Sequence, residues 1–157
     1  MTAFVKAGDV ARELCNELVS ADFGPFFGTP RSLTPLHNAL HGHVGILTVA
    51  REETAIGIAA GTSLAGRFPV VLMEHPGLGA SANAIANLVL PYRIPMLLIV
   101  GLTGEAGVGE LLGGLGIESV SLEATEPLGT QVEEVNTIVQ RRLQPAALLV
   151  PPAVFGG

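Results

Sequence analysis

Two adjacent carboxylates, Glu52 and Glu53, open an otherwise apolar run of small residues, Arg51-Glu52-Glu53-Thr54-Ala55-Ile56-Gly57-Ile58-Ala59-Ala60-Gly61. One exposed carboxylate in a first helical turn needs no explanation beyond its favourable interaction with the helix dipole. Two compete for that place: one can cap the helix or face water, and the other then points toward the end of the preceding strand. A carboxyl group shielded from water there can donate or share a proton. Either Glu52 or Glu53 can take the inward role, the other facing solvent. A second segment, His75-Pro76-Gly77-Leu78-Gly79, opens another helix, and its backbone N–H groups and lack of side-chain bulk suit close approach by a ligand. A His at a strand end is also placed for proton transfer near neutral pH. A third, Gly28-Thr29-Pro30-Arg31-Ser32, carries Arg31, which is the one cation of the three segments apart from Arg51. Arg31 either pairs with an anion in bidentate fashion or simply faces solvent.

These residues are useful only if secondary structure brings them together, and the hydrophobic pattern predicts elements that do. Residues 7–20 place Val10, Leu14, Leu18 and Val19 at the spacing of an amphipathic helix. Phe26 and Phe27 end a short strand, and residues 34–41 read as a short helix with Pro35 in its first turn, where proline is tolerated. His37 on that helix can face the site. His41 and His43 sit at its end, where a surface or dipole role is the default, and no third ligand at sensible spacing supports a metal pair. Residues 44–50 predict a buried strand delivering Glu52 into a helix over residues 52–65, closed by Gly66. Residues 69–73, 95–100, 117–122 and 146–150 predict further strands, with helices over 78–90 and 130–142. After Gly101 the pattern weakens, and Gly113-Gly114-Leu115-Gly116 breaks it. Six strands with intervening helices predict an α/β fold: a three-layer, mostly parallel six-stranded sheet with helices on both faces, as one domain across residues 1–157. The tail from Pro151 reads equally as the start of a linker or as an extension of the last strand.

Composition narrows the function classes. Of 157 residues, 48% are hydrophobic and 20 are glycine, with one Tyr and no Trp, which describes a core of small aliphatic side chains. A net charge of −6 with only eight Lys plus Arg, and no basic run, argues against a phosphate-tracking nucleic-acid surface. The longest apolar runs are strand-sized, well short of the about 18 residues a membrane span needs. The start, Met1-Thr2-Ala3-Phe4-Val5-Lys6, lacks the charged-then-apolar order of a signal peptide, so a cytoplasmic location is expected. Cys15, the single cysteine, lies among Leu14, Leu18 and Val19 and reads as a buried small side chain without chemistry.

The segment from Arg51 to Gly61 resembles the pyrimidine-binding domain of thiamine diphosphate-dependent enzymes, in which a Glu at a strand end precedes a helix rich in Ala and Gly. The resemblance continues in Met73-Glu74-His75-Pro76-Gly77-Leu78-Gly79-Ala80-Ser81-Ala82-Asn83 and in Tyr92-Arg93-Ile94-Pro95-Met96-Leu97-Leu98-Ile99-Val100-Gly101. Upstream, Phe27-Gly28-Thr29-Pro30-Arg31-Ser32-Leu33 is similar to the Gly-x-Pro-x-Ser loop of sulfopyruvate and phosphonopyruvate decarboxylases. Together these motifs cover about the first two-thirds of the chain in the family's order.

The resemblance implies a flavodoxin-like sheet and a role for each motif. Glu52 would hydrogen-bond the aminopyrimidine ring nitrogen of thiamine diphosphate and promote the tautomer that activates the thiazolium carbon, with His75 a second candidate for proton transfer. Gly28, Thr29, Pro30, His75, Pro76, Gly77, Gly79 and Asn83 would contact the cofactor. Arg31, Ser32 and His37 would meet the substrate, a small 2-oxo acid. The family binds the diphosphate through Mg²⁺ on a Gly-Asp-Gly motif with a downstream Asn, and the chain has none; Gly8-Asp9-Val10 lacks the second Gly. Metal and diphosphate would therefore be held by a separate β subunit, in an α2β2 or larger assembly, and this chain alone would be inactive. The expected activity is that of a thiamine diphosphate-dependent 2-oxo acid decarboxylase or carboligase. There are two departures: His75 stands where an Asn-Ser pair is expected in the cofactor-contacting turn, and residues 104–114 replace an expected Pro-Gln-His segment with glycines, leucines and two acids, leaving the 2-oxo acid open. From a different class comes the alternative of a non-catalytic flavodoxin-like module that binds a nucleotide or a protein, with Glu52 only capping its helix.

Overall fold

Apolar stretches of strand length alternate with stretches of helical period, and the chain folds accordingly. The computed structural model describes residues 6–103 and 107–156. Within them, α1 (Ala7–Ser20), β1 (Phe26–Gly28), α2 (Thr34–His43), β2 (Leu47–Thr48) and α3 (Glu52–Leu64) are followed by β3 (Val70–Glu74), α4 (His75–Ala80) and α5 (Ala82–Ala84). Then come β4 (Leu97–Gly101), α6 (Val108–Leu115), β5 (Glu118–Ser121), α7 (Leu128–Asn136) and β6 (Ala146–Val150). The strands form one six-stranded sheet in the order β2-β1-β3-β4-β6-β5, with every pairing parallel. From β1 the chain moves outward to β2 and then back across to β3, so the direction of winding reverses between β1 and β3. In open α/β sheets that reversal opens a ligand crevice at the carboxyl ends of the strands.

Strand alternation divides the core into two layers. On β3, Val70 and Leu72 face α1, α2 and α7, while Val71 and Met73 face α3, α4 and α6. The inner strands β3, β4 and β6 are buried along their whole length, as sheets covered on both faces require. In α1, Leu14 and Leu18 are fully buried, and each contributes about 1.5–3 kcal/mol by leaving water. Cys15 packs beside them, and burial raises its thiol pKa. A disulfide reagent at neutral pH should therefore modify Cys15 only as fast as the chain opens, with full reaction in denaturant; rapid stoichiometric labelling of the native chain would contradict this packing.

Four expectations need correction. The strand expected over residues 44–50 is only Leu47–Thr48 and is exposed, because α2 runs on to His43 and the N–H groups of Val44 and Gly45 both close back onto Leu40 O. Few residues are then left for β2, which pairs with β1 alone, at Phe27↔Leu47 and Gly28↔Thr48. The helix expected from Leu78 begins at His75, with Pro76 in its first turn, so the segment expected to lead into the helix is already helical. The break expected at Gly113-Gly114-Leu115-Gly116 is instead the last turn of α6, whose ends are set by Gly107 and Gly116 in the left-handed region, φ +91° and +79°. Gly104, Glu105 and Ala106 of the departing segment lie outside the described residues, as do Met1 to Val5 of the start. The tail is neither a linker nor a strand as far as Gly156: Pro152–Phe155 makes a 3-10 turn that buries Val154.

Candidate active site at the strand ends

Arg51 is extended (φ −138°, ψ 136°), and α3 begins at the next residue. The two first-turn carboxylates then part. Glu53 forms an ion pair with Arg51 at 2.6 Å, with side chains 38% and 74% exposed. Glu52 is half-buried and turns toward the sheet, where its Oε1 accepts a long hydrogen bond, 3.3 Å, from Thr29 Oγ1. Its carboxyl also lies across the backbone of α4: a Cβ at Gly77 would fall 2.5 Å from Glu52 Cδ and 2.7 Å from Oε1. Three chain segments, those following β1, β2 and β3, thus meet at one carboxyl group beside the reversal between β1 and β3. The close approach begins at Gly28, where a Cβ would fall 2.2 Å from Leu72 O, and Thr29 N–H donates to that same oxygen at 3.1 Å.

The remaining candidates take different places. Thr29 is buried, Pro30 is half-buried, and Arg31 is exposed with φ +47°. Ser32 turns to a different partner, donating through both its N–H and its hydroxyl to Glu74. His75 is half-buried, with Nδ1 3.3 Å from Thr103 Oγ1. Pro76 and Gly79 are exposed, and a Cβ at Gly79 would meet nothing within 4 Å, unlike one at Gly77. Asn83 is exposed and its Oδ1 accepts from Asn87 Nδ2 at 2.6 Å. His37 Nε2 lies 2.9 Å from Thr48 Oγ1, which fastens α2 to the short β2 edge. Sequence reasoning missed Glu74, which is 3% exposed. Its signal was an acid at the last position of a run whose other four members are all apolar, Val70-Val71-Leu72-Met73-Glu74.

Burial, and then the neighbouring His41, lowers the pKa of His37. The folded state disfavours the imidazolium, so the stabilising contribution is present above the unfolded-chain value of about 6.5 and is lost as the pH falls through the lower folded value. His37→Gln keeps a group able to bond Thr48 and removes the titration. Thermal melts should therefore show the wild type losing more stability than the variant below about pH 6.5; parallel losses would remove the assignment. His41 and His43 are exposed on the last turn of α2. Among the described residues no three His, Cys, Asp or Glu side chains are grouped to hold a metal, and no helix is long and apolar enough to cross a membrane.

The sequence matches the thiamine pyrophosphate enzyme N-terminal TPP binding domain over residues 9–126. The chain belongs to that family. Within it, the sulfopyruvate decarboxylase subunit alpha of Methanococcus maripaludis is 46% identical over 59 residues, 38% of this chain and 35% of that protein. The phosphonopyruvate decarboxylase of Streptomyces viridochromogenes is 30% identical over 144 residues, 81% of this chain and 36% of that protein. The chain thus spans little more than a third of the length of these curated relatives. In solved structures, the 2-oxoglutarate:ferredoxin oxidoreductase of Magnetococcus marinus superposes with a TM-score of 0.79 at 13% identity, covering 92% of this chain and 29% of that one, and so shares its fold. The α/β architecture read from the sequence is the family's. In the Glu52–Thr29–Gly77 arrangement a hydroxyl holds a carboxyl group, whose chemistry suits a bond to a ring nitrogen, over a bare helical backbone, and a Cβ at Gly77 would displace it.

Proposed function

We propose that the chain acts as one pyrimidine-binding domain, the α subunit of a two-subunit thiamine diphosphate-dependent 2-oxo acid decarboxylase or carboligase, completed by a β subunit that holds the diphosphate through Mg²⁺. The observation that carries this reading is the Glu52 carboxyl, turned inward over Gly77 while Glu53 faces solvent with Arg51. When bound, the cofactor would supply the carbanion that attacks a 2-oxo carbon and the electron sink for loss of CO₂. Glu52 would hold a proton between its carboxyl and the pyrimidine ring nitrogen. Thr29 Oγ1 would orient that carboxyl through Oε1, and Gly77, by presenting no side chain, leaves the space that the carboxyl occupies. Arg31, on the loop after β1, would pair with the anionic end of the substrate, and Ser32, His37 and His75 stand on the adjoining segments. Gly28, Pro30, Pro76 and Asn83 complete the proposed cofactor surface, and Gly79 lies beside it with open space where a Cβ would stand.

The surface of α3 supports a partner. It buries Ala55, Ile56, Ala59 and Ala60 against the sheet, and its outer side presents Gly57, Ile58, Gly61 and Leu64, with Leu64 75% exposed. A helix apolar on both sides suits burial on both sides, and the relatives named as an alpha subunit point the same way. We infer an α2β2 or larger assembly, located in the cytoplasm, where a chain with one thiol and no possible internal disulfide is at home. Native mass spectrometry of the tagged chain, purified from its own host at low expression, tests the reading. A second polypeptide together with thiamine diphosphate and Mg²⁺ is expected, and a lone cofactor-free homo-oligomer would overturn it.

A further inference from the structure

Glu74, 3% exposed at the last position of β3, has no part in the chemistry proposed above. Alternation along β3 sends its side chain to the α1–α2 layer, the opposite layer from α3 and Glu52. Its Oε1 accepts two hydrogen bonds from a single residue, Ser32 N–H at 2.7 Å and Ser32 Oγ at 2.6 Å, and its Oε2 is buried with no partner. The neighbouring strand leaves room for this pair, since a Cβ at Gly101 would fall 2.4 Å from Ser32 Oγ and 3.1 Å from Glu74 Oε1.

The residue held next to this anchor is Arg31, a non-glycine at φ +47°. Such a conformation costs energy in any L residue with a side chain and persists only where the surroundings over-determine it. The short bonds that the adjacent Ser32 donates to the Glu74 carboxyl supply that constraint. Two residues earlier in the same loop, Thr29 donates its N–H to Leu72 O and its hydroxyl to Glu52 Oε1. The loop after β1 is therefore fastened to both layers of the molecule, to Glu74 through Ser32 and to Glu52 through Thr29.

We propose that Glu74 is a positioning residue that locks residues 29–33 through Ser32, so that Thr29 holds the Glu52 carboxyl and Arg31 stands at the strand ends. The consequence for turnover rests on the cofactor reading above, whereas the lock itself does not. Hydrogen exchange of the full chain tests the lock. Glu74→Leu should speed exchange of the Ser32 amide by about tenfold or more, and Gly101→Ala should act likewise from the opposite side, while the amides of β3 and β4 stay protected. Glu74→Gln keeps an acceptor at Oε1 and should restore wild-type exchange. Ser32→Ala, a change at an exposed residue, removes only the hydroxyl donor and provides a folded comparison if Glu74→Leu does not fold; it should speed exchange of the loop to a lesser degree. In the reconstituted assembly, Glu74→Leu should lower kcat by about tenfold at saturating thiamine diphosphate, with Glu74→Gln close to wild type. Unchanged protection of the residue 32 amide in both Gly101→Ala and Ser32→Ala would overturn the lock. Full thiamine diphosphate-dependent turnover in a variant with a loosened loop would overturn positioning and leave the cofactor reading intact. Loosened exchange in an assembly that ignores thiamine diphosphate would leave the lock standing and remove the cofactor reading.

Discussion

Glu52→Gln should reduce turnover of the reconstituted complex by about 10²–10⁴-fold while leaving assembly and thermal stability close to wild type. The amide has the size of the carboxyl, and its oxygen can still accept from Thr29 Oγ1, so the bond that orients the side chain survives. What disappears is the capacity to hold and return a proton at the pyrimidine end of the cofactor. Because the side chain is half-buried and not part of the core, the fold has little reason to respond. Glu53→Gln is the matched control. Its ion pair with Arg51 lies at the surface, where such pairs contribute about 0–1 kcal/mol, and turnover should be unaffected. Calorimetric titration with thiamine diphosphate separates the two ways of losing rate: weakened binding alone would make Glu52 an anchor, while near-normal binding with lost turnover assigns it the proton. Unchanged turnover in Glu52→Gln would sink the mechanism.

That Glu52 and Glu53 would part was legible in the sequence because two carboxylates compete for one place in a helical first turn, and the family resemblance, not the spacing, singled out Glu52 as the one turned inward. The sheet was legible from length and flanks: runs such as 95–100 and 146–150 are strand-sized, evenly apolar and bounded by Pro or Gly, the pattern of strands buried on both faces. What escaped depended on tertiary contacts. Val44 and Ile46 look like strand residues, but the N–H of Val44 and that of Gly45 are taken up in closing α2, and only tertiary context shows where that helix ends. The glycines of α6 disguised a helix whose burial of Val108 and Leu112 outweighs their poor propensity. The expected strand over residues 69–73 stopped one residue short of Glu74, and nothing in the pattern could reveal that its carboxyl accepts from Ser32 beside Gly101. Gly77 and Gly79 look equivalent in the sequence, and only the path of the Glu52 side chain separates them.

That difference gives the second large effect. Gly77→Ala should cost turnover about 10–10³-fold with little or no loss of stability, and Gly79→Ala should cost nothing. The new Cβ at position 77 would lie 2.5 Å from Glu52 Cδ, 2.6 Å from Cγ and 2.7 Å from Oε1, distances no pair of non-bonded atoms sustains. Everything it meets belongs to one side chain that can rotate away, so the collision is relieved by moving Glu52 and not by unfolding α4. Replacing a helical glycine also favours the helix by about 0.5–1 kcal/mol, which offsets the remaining strain. At position 79 the same helical gain comes with open space around the Cβ. Melting temperature and kcat should therefore separate: both variants fold as well as the wild type or better, and only the one at position 77 loses rate and pyrimidine-end affinity. If Gly77→Ala keeps full turnover, the Glu52 conformation seen over α4 is not the one that works. If it loses turnover and folding together, the carboxyl is wedged more firmly than a half-buried side chain should be. Loss of rate alone would show that the bare backbone at position 77 is there to let a carboxyl group lie flat against a ligand.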